Sequence, residues 1–289
     1  MPPEPPVRFY ALETDRLLPL EVERAAKNAH ELLDELPLGV YTAFRTFHHE
    51  RLLGLEEHFD RTDRCMQLLG WARRLERALV RQRLHEAVRA WPFEDAFVRL
   101  DVLARAAPRL PTQSTCLLSL SGLAPLPARF LTEGVRVEVA AGLKRADPRI
   151  KSADFVIARR PYPLNRQDAY EHLLVDARGR ILEATSANFY ALLGGKLRTP
   201  EEGMLEGITR KFVLRLCGEL EIPVDLGPLH LDDLPRADEA FLTSSTRGVV
   251  PVVEVADLRI AEGRPGRRTQ RLIDAYRILV EREATPAWT

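Results

Sequence analysis

A lysine does covalent chemistry on a carbonyl only when its amine is poised to shed a proton, and proteins arrange this by stripping water from around it. Lys151 stands in Asp147-Pro-Arg-Ile-Lys-Ser152, after a predicted strand and a proline-bearing turn, with the apolar-rich stretch 153–158 directly behind it. That setting suits a Schiff-base lysine; alone it equally describes a surface lysine opening a helix. Glu183 lies in Ile181-Leu-Glu-Ala-Thr-Ser-Ala-Asn-Phe189, a carboxylate at the end of an apolar strand with small residues after it. Open space beside such a group would let it keep a pyridinium nitrogen protonated, although an exposed strand-end glutamate has the same pattern. In Met204-Leu-Glu-Gly-Ile-Thr-Arg210 a glycine and a hydroxyl residue open a helix. Free N–H groups and the positive end of the dipole make such a start a phosphate site or an ordinary capped terminus. Thr243-Ser-Ser-Thr-Arg-Gly248 puts a run of hydroxyls at a strand end, able to donate to a phosphate or simply to form a turn.

The elements that must carry these residues can be read from periodicity. Residues 1–19 are proline-rich and suit the surface or a sheet edge; 21–35 has helical spacing and stops at Leu36-Pro-Leu-Gly39. Residues 40–47 alternate as a strand, with a turn at 48–51, and helices are predicted over 55–69 (stopped by Gly70) and 75–90. Strands follow at 96–104 and 114–120. The segment 121–128, with a glycine and two prolines, reads as a linker. Beyond it, strands are predicted at 135–141, 173–176, 181–183, 189–193, 196–198 and 239–243, with helices from 207 to about 220 and over 267–283. The expected organisation is therefore a small N-terminal α/β domain (1–120), a linker (121–130) and a larger C-terminal α/β domain (131–289) carrying Lys151. The fold class is α/β of the mixed, α+β kind rather than doubly wound.

Composition narrows the function classes. The 289 residues contain 42 Lys plus Arg and 42 Asp plus Glu, so nothing in the charge balance calls for nucleic acid or an anionic membrane as partner. No stretch approaches the roughly 20 apolar residues that span a bilayer. The opening MPPEPPVRFY lacks the basic and apolar regions of a signal peptide, which points to the cytoplasm. Cys65, Cys116 and Cys217 have no metal-ligand spacing and read as reduced thiols, so no metal is expected.

Taken in order, the segments resemble the fold-type IV pyridoxal-phosphate enzymes, which include branched-chain aminotransferases, D-amino-acid aminotransferases and aminodeoxychorismate lyases. The resemblance runs through Gly39-Val-Tyr-Thr-Ala-Phe-Arg45, Leu55-Glu-Glu-His-Phe-Asp-Arg61, Ile150-Lys-Ser152, Leu182–Phe189, Thr199-Pro200, Met204–Arg210, Phe241–Gly248 and Val249-Val-Pro-Val252. It implies two mixed α/β domains with pyridoxal 5'-phosphate between them, in a homodimer. It implies that Lys151 is the Schiff-base and proton-shuttling lysine, that Glu183 partners the pyridine nitrogen and that Arg61 binds the phosphate. The backbone at Ile208, with Thr209 and Ser245, would complete the phosphate site, and Leu205 would pack under the ring.

On the substrate side the resemblance points to Tyr41 and Arg45 on one strand, Phe97 and Arg99 on another, and Arg109 and Thr246. Phe97 and Arg99 resemble the Tyr-x-Arg of branched-chain enzymes, whereas Tyr41 and Arg109 resemble carboxylate-binding positions of D-amino-acid enzymes. One reachable arginine in an apolar pocket suits an aliphatic amino acid exchanged with a 2-oxo acid such as 2-oxoglutarate. A D-amino-acid aminotransferase and an aminodeoxychorismate-lyase-type enzyme are the alternatives. Two departures stand out. Branched-chain enzymes place a tyrosine five residues after the lysine, where this chain has Val156 preceded by Phe155. Pro161 and Pro163 should also break a helix that members continue.

Overall fold

The computed structural model describes residues 7–21 and 36–288, so the helix expected over 21–35 lies outside the described residues except at its first position. The chain packs into two compact units. The first comprises residues 1–124, 150–157 and 282–289; the second comprises 125–149 and 158–281. The chain crosses from one unit to the other inside the segment read as a linker. Two stretches depart from the expected boundaries, and one of them carries Lys151: the lysine belongs to the first unit, not to the C-terminal one. The physical reason is strand pairing, described below.

In the first unit the strands β1 (Arg8–Leu12), β2 (Leu17–Leu20), β3 (Gly39–Phe47), β4 (Arg51–Leu52), β5 (Ala96–Leu103) and β6 (Cys116–Gly122) form one sheet. Its order is β4-β3-β5-β6-β1-β2, with Thr285–Pro286 added beyond β4. Thr285–Pro286 pairs with Arg51–Leu52, which is why the chain's last residues join this unit. The sequence pattern of period two separates the faces of β3 and β5. Val40, Phe44, Val98, Leu100 and Val102 enter one hydrophobic core, which also takes Leu55, Phe59 and Met66 from α1 (Leu55–Leu68) and Val80 and Leu84 from α2 (Arg77–Arg89). Leu55, Phe59, Thr62 and Met66 recur at spacings of a single helical face, and all four are buried. Each fully buried side chain of this size contributes about 1.5–3 kcal/mol relative to exposure.

The second unit is built on β7 (Val135–Ala141), β8 (Ala169–Val175), β9 (Arg180–Ala184), β10 (Asn188–Leu193), β11 (Lys196–Thr199), β12 (Val224–Leu226), β13 (Leu229–His230), β14 (Glu239–Ser244), β15 (Gly248–Val255) and β16 (Leu258–Arg259). Their order is β12-β11-β10-β14-β15-β7-β8-β9-β13, with β16 on β15. Parallel pairs (β15 with β7, β7 with β8, β11 with β12) mix with antiparallel hairpins, as the short glycine turns suggested. The longer helices of this unit are α3 (Ile208–Glu219) and α4 (Arg267–Glu283), and a short one spans Ala128–Thr132. No helix among the described residues is long and apolar enough to cross a membrane.

Candidate active site

Lys151 is positioned by an incomplete edge. Strand β3 pairs with β5 along its whole length, but β4 covers only its far end, at Thr46 and Phe47. The free N-terminal edge is completed by residues 151–153: Tyr41 N–H donates to the Lys151 carbonyl at 3.0 Å, Ala153 N–H donates to the Gly39 carbonyl at 3.0 Å, and Val40 bridges Ser152. Gly39 is required there, because a Cβ at this position would stand 2.7 Å from the Val102 carbonyl oxygen. The Lys151 N–H donates to Cys65 Sγ of α1 at 3.3 Å, and Ile150 enters the core beneath. The short helix Asp154–Ala158 follows and ends there, ahead of Pro161 and Pro163. With its backbone held at three points, Lys151 places Nζ 4.7 Å from the centre of the Tyr41 ring. Tyr41 packs with Ala153 and Val156 in a small apolar cluster.

Arg61 sits one turn behind. It is buried, on the inner face of α1, and its Nη2 donates to Thr42 Oγ1 at 3.0 Å. Thr42, wholly buried, lies 2.5 Å from His58 Nδ1. Thr42 Oγ1 accepts from Arg61, and the direction of its bond to His58 Nδ1 follows the tautomer of the ring. Burial holds the His58 pKa well below its ordinary value, and the nearby charges of Arg61 and Lys151 push it further down. His58 is therefore neutral, and its Nε2 is buried without a hydrogen-bond partner. The arrangement gives a guanidinium oriented by a neutral relay, suited to hold an anionic oxygen by a charge-assisted bond.

The cross-strand register places the other candidates of this unit. Tyr41 is opposite Asp101, Ala43 opposite Arg99 and Arg45 opposite Phe97, so all six side chains share one sheet face. Arg99 is fully buried: its Nε and Nη2 grip both oxygens of Asp101 at 2.7 and 2.6 Å, and its guanidinium lies 3.9 Å from the Tyr41 ring. This corrects the expectation of a reachable arginine, because Asp101 already occupies the fork. Arg45, at the other end of the strand, is bound by Asp95 at 2.5 Å and stacks on Phe47. Phe97 is half-buried beside it. Arg109 is exposed in the turn after β5.

In the second unit Glu183 is buried on β9, and Arg145 Nε donates to its Oε1 at 2.6 Å. Asn188 on β10 organises the next loop: its Nδ2 donates to the Leu205 carbonyl at 2.8 Å, and its Oδ1 lies where a Cβ on Gly207 would come within 2.1 Å. Leu205, Ile208 and Thr209 are buried at the start of α3. Gly207 supplies no side-chain cap, and the first turn of α3 holds no acid. Ser245 and Thr246 lie half-buried in the turn after β14. Arg247 fixes that turn, donating to Ser244 Oγ, Ser186 Oγ and the buried Glu171. Among the described residues no cluster of side chains could hold a metal ion.

The first unit thus carries an amine and a buried arginine, and the second a buried carboxylate and a helix start at Ile208. The family model for amino-transferase class IV matches residues 39–255, from the first residue of β3 to the last of β15. The chain belongs to the class IV aminotransferases. Among curated relatives of this family, the "Probable branched-chain-amino-acid aminotransferase" of Thermotoga maritima is 34% identical over 161 residues, covering 53% of this chain and 58% of its own. The branched-chain-amino-acid aminotransferase of Pseudomonas aeruginosa is 34% identical over 123 residues, covering 42% of this chain and 40% of its own. The match thus spans a little over half of the first relative's length. The branched-chain amino acid aminotransferase of T.th., complexed with N-(5'-phosphopyridoxyl)-L-glutamate, superposes over 97% of this chain and 98% of its own, with TM-score 0.78 and 21% identity. The Thermoproteus uzoniensis enzyme with norvaline does so over 97% and 99%, with TM-score 0.75 and 23% identity. The fold is the mixed α/β fold-type IV architecture of those structures.

Several residues of this class IV site escape a reading of the sequence. Thr42 and His58 sit inside quoted motifs, but nothing marks them as partners until the strand and helix are packed. Arg145 reaches Glu183 across 38 positions, and only the pairing of β7 with β8 and β8 with β9 brings them together. Asp101 was detectable in principle, since it follows Arg99 by two and so faces the same way.

Proposed function

We propose that the chain is a pyridoxal 5'-phosphate-dependent aminotransferase that moves an amino group between an aliphatic, branched-chain-like amino acid and a 2-oxo acid, working as a homodimer in the cytoplasm. The observation that carries this reading is Lys151, an amine anchored by backbone bonds to β3 and seated on the Tyr41 ring close to a buried arginine. When bound, the cofactor supplies the electron sink that makes the substrate Cα–H acidic. Lys151 is then the covalent attachment point and afterwards the base that takes the proton from Cα and redelivers it. Arg61, oriented through Thr42, holds the phosphate together with the N–H groups at Ile208 and Thr209 and the hydroxyl of Ser245. Glu183, hydrogen-bonded to Arg145, faces the ring nitrogen, and Leu205 packs under the ring. Tyr41, Phe97 and Thr246 border the substrate.

Purified protein should be yellow, and borohydride should fix the cofactor to the peptide carrying Lys151; label on Lys144 or Lys211 would sink the assignment. L-leucine should discharge the bound cofactor to its amino form and a 2-oxo acid should restore it. Steady pyruvate from a single substrate with no oxo-acid partner would identify a lyase instead. Discharge by D-alanine but not by L-amino acids would make it a D-amino-acid enzyme. Light scattering at the mass of two chains checks the homodimer.

A further inference from the structure

Strands β9 and β10 are joined by residues 185–187 alone, yet β14, β15, β7 and β8 stand between them in the sheet order. The chain from Ala184 to Asn188 reaches about 14 Å at most, whereas five strand spacings of a flat sheet are about 24 Å. The sheet therefore curls back on itself here, and the short turn crosses the gap without a ladder of its own. Glu171, buried on β8, holds one side of that turn. Its Oε1 accepts from Thr185 Oγ1 at 2.9 Å and from the Ser186 N–H. Its Oε2 accepts from Arg247 Nη1 at 2.9 Å. Arg247 directs its other nitrogens to both turns: Nη2 donates to Ser186 Oγ at 2.7 Å, and Nε donates to Ser244 Oγ at 2.9 Å. Burial alone would push the Glu171 carboxyl up. The charge of Arg247 and the bonds from Ser186 and Thr185 outweigh it and hold the carboxyl below the usual carboxylate range. One planar fork thus ties two turns together. The first starts two residues after Glu183, and the second carries Ser245 and Thr246.

We infer that Arg247 is a positioning residue: clamped by Glu171, it fixes the spacing between the strand end that bears Glu183 and the turn that bears Ser245, and so sets how far apart the ring and phosphate ends of the cofactor are gripped. This rests on the proposed cofactor site, in which Glu183 meets the ring nitrogen and Ser245 the phosphate. A ligand held at both ends gains from the second grip only where the two grips are spaced to match it. A guanidinium suits that task because its donors lie in one rigid plane, whereas an ammonium is a point charge on a flexible stem.

Two titrations of the full-length chain, freed of cofactor, test it: one with pyridoxal 5'-phosphate and one with phosphate-free pyridoxal, each followed by absorbance. The ratio of the two dissociation constants measures what the phosphate grip adds. In Arg247→Lys, which keeps a positive charge beside Glu171, that ratio should shrink by about tenfold, because only the phosphorylated compound loses affinity. Glu171→Gln should shrink it likewise, and the double variant no further, since the two side chains act as one clamp. A purely structural role would lower the unfolding midpoint and weaken both ligands alike. An unchanged ratio in Arg247→Lys therefore overturns the inference, as does a double variant whose losses add. Should these variants fail to fold, Ser244→Ala and Ser186→Ala decide, each removing one hydroxyl that accepts from Arg247. The ratio should shrink by about threefold, the scale of one hydrogen bond, and a ratio unchanged in both overturns the inference. A wild-type protein with no preference for the phosphorylated compound sinks the cofactor reading and this inference with it. A preference that survives Arg247→Lys intact sinks the inference alone.

Discussion

His58 should make the folded protein lose stability as the pH falls below about 6.5, the value at which a histidine in an unfolded chain takes up its proton. In the folded state that proton is refused, because the ring is buried and faces the charges of Arg61 and Lys151. Below about 6.5 the unfolded chain therefore binds one proton more than the folded one at this position, and stability falls as pH falls. Above that value both states hold a neutral ring and the contribution vanishes. The slope approaches 2.303RT per proton, about 1.4 kcal/mol per pH unit, until the folded ring also begins to titrate.

His58→Asn isolates this contribution. An asparagine puts an amide oxygen near the place of Nδ1, so it can still accept from Thr42, but it cannot titrate. The variant loses ring contacts with Phe44, whose centroid lies 4.9 Å away, and will be less stable at every pH. What matters is the difference between the two stability profiles, which removes titrations common to both proteins. Urea unfolding at pH 8.0, 7.0, 6.0 and 5.5 should give curves that run parallel above pH 7 and converge below about 6.5. Curves that stay parallel to pH 5.5 would show that His58 titrates normally in the folded state, and the neutral relay to Arg61 would have to be abandoned.

Other perturbations follow from the same contacts. Lys151→Ala should abolish turnover, since no other residue replaces both the covalent link and the proton carrier; residual activity above about one part in a thousand would contradict this. Arg61→Ala should weaken cofactor retention by about 2–3 kcal/mol, the size of a hydrogen bond to a charged group, and unchanged retention through dialysis would remove it from the phosphate site. Gly207→Ala should push Asn188 off the Leu205 carbonyl and cost about 1–3 kcal/mol of stability for the buried carbonyl left unpaired. A wild-type urea midpoint in that variant would show that the loop yields without loss.

How much of this was legible in the sequence depended on how local the cause was. The strands at 135–141 and 239–244 and the helix over 267–283 are set by alternation or helical spacing within one segment, and they are found where expected. The strand Gly248–Val255 was passed over because its apolar run has no alternation, being buried on both faces. The two- and three-residue strands at 224–226, 229–230 and 258–259 have no pattern of their own and exist through their partners. The site divides the same way. Lys151, Glu183 and the start of α3 could be nominated from neighbouring residues. The pairing of Arg145 with Glu183 could not be, because it depends on two side chains far apart in sequence finding one another in a packed sheet.

The assignment of Lys151 to the first unit shows why sequence order misleads here. A lysine following the strand 135–141 looks as though it belongs to that strand's domain, and nothing in residues 142–150 contradicts it. What decides is a shortage elsewhere: among the described residues no named strand lies on the outer edge of β3 at Gly39–Tyr41, and buried backbone groups without partners are costly. Residues 151–153 meet that need, and in doing so they carry the lysine to the ring of Tyr41. The same docking accounts for Val156, where related enzymes have a polar ring. With Ala153 and Tyr41 it forms an apolar cluster. The valine therefore belongs with the tyrosine at 41 as one unit of packing.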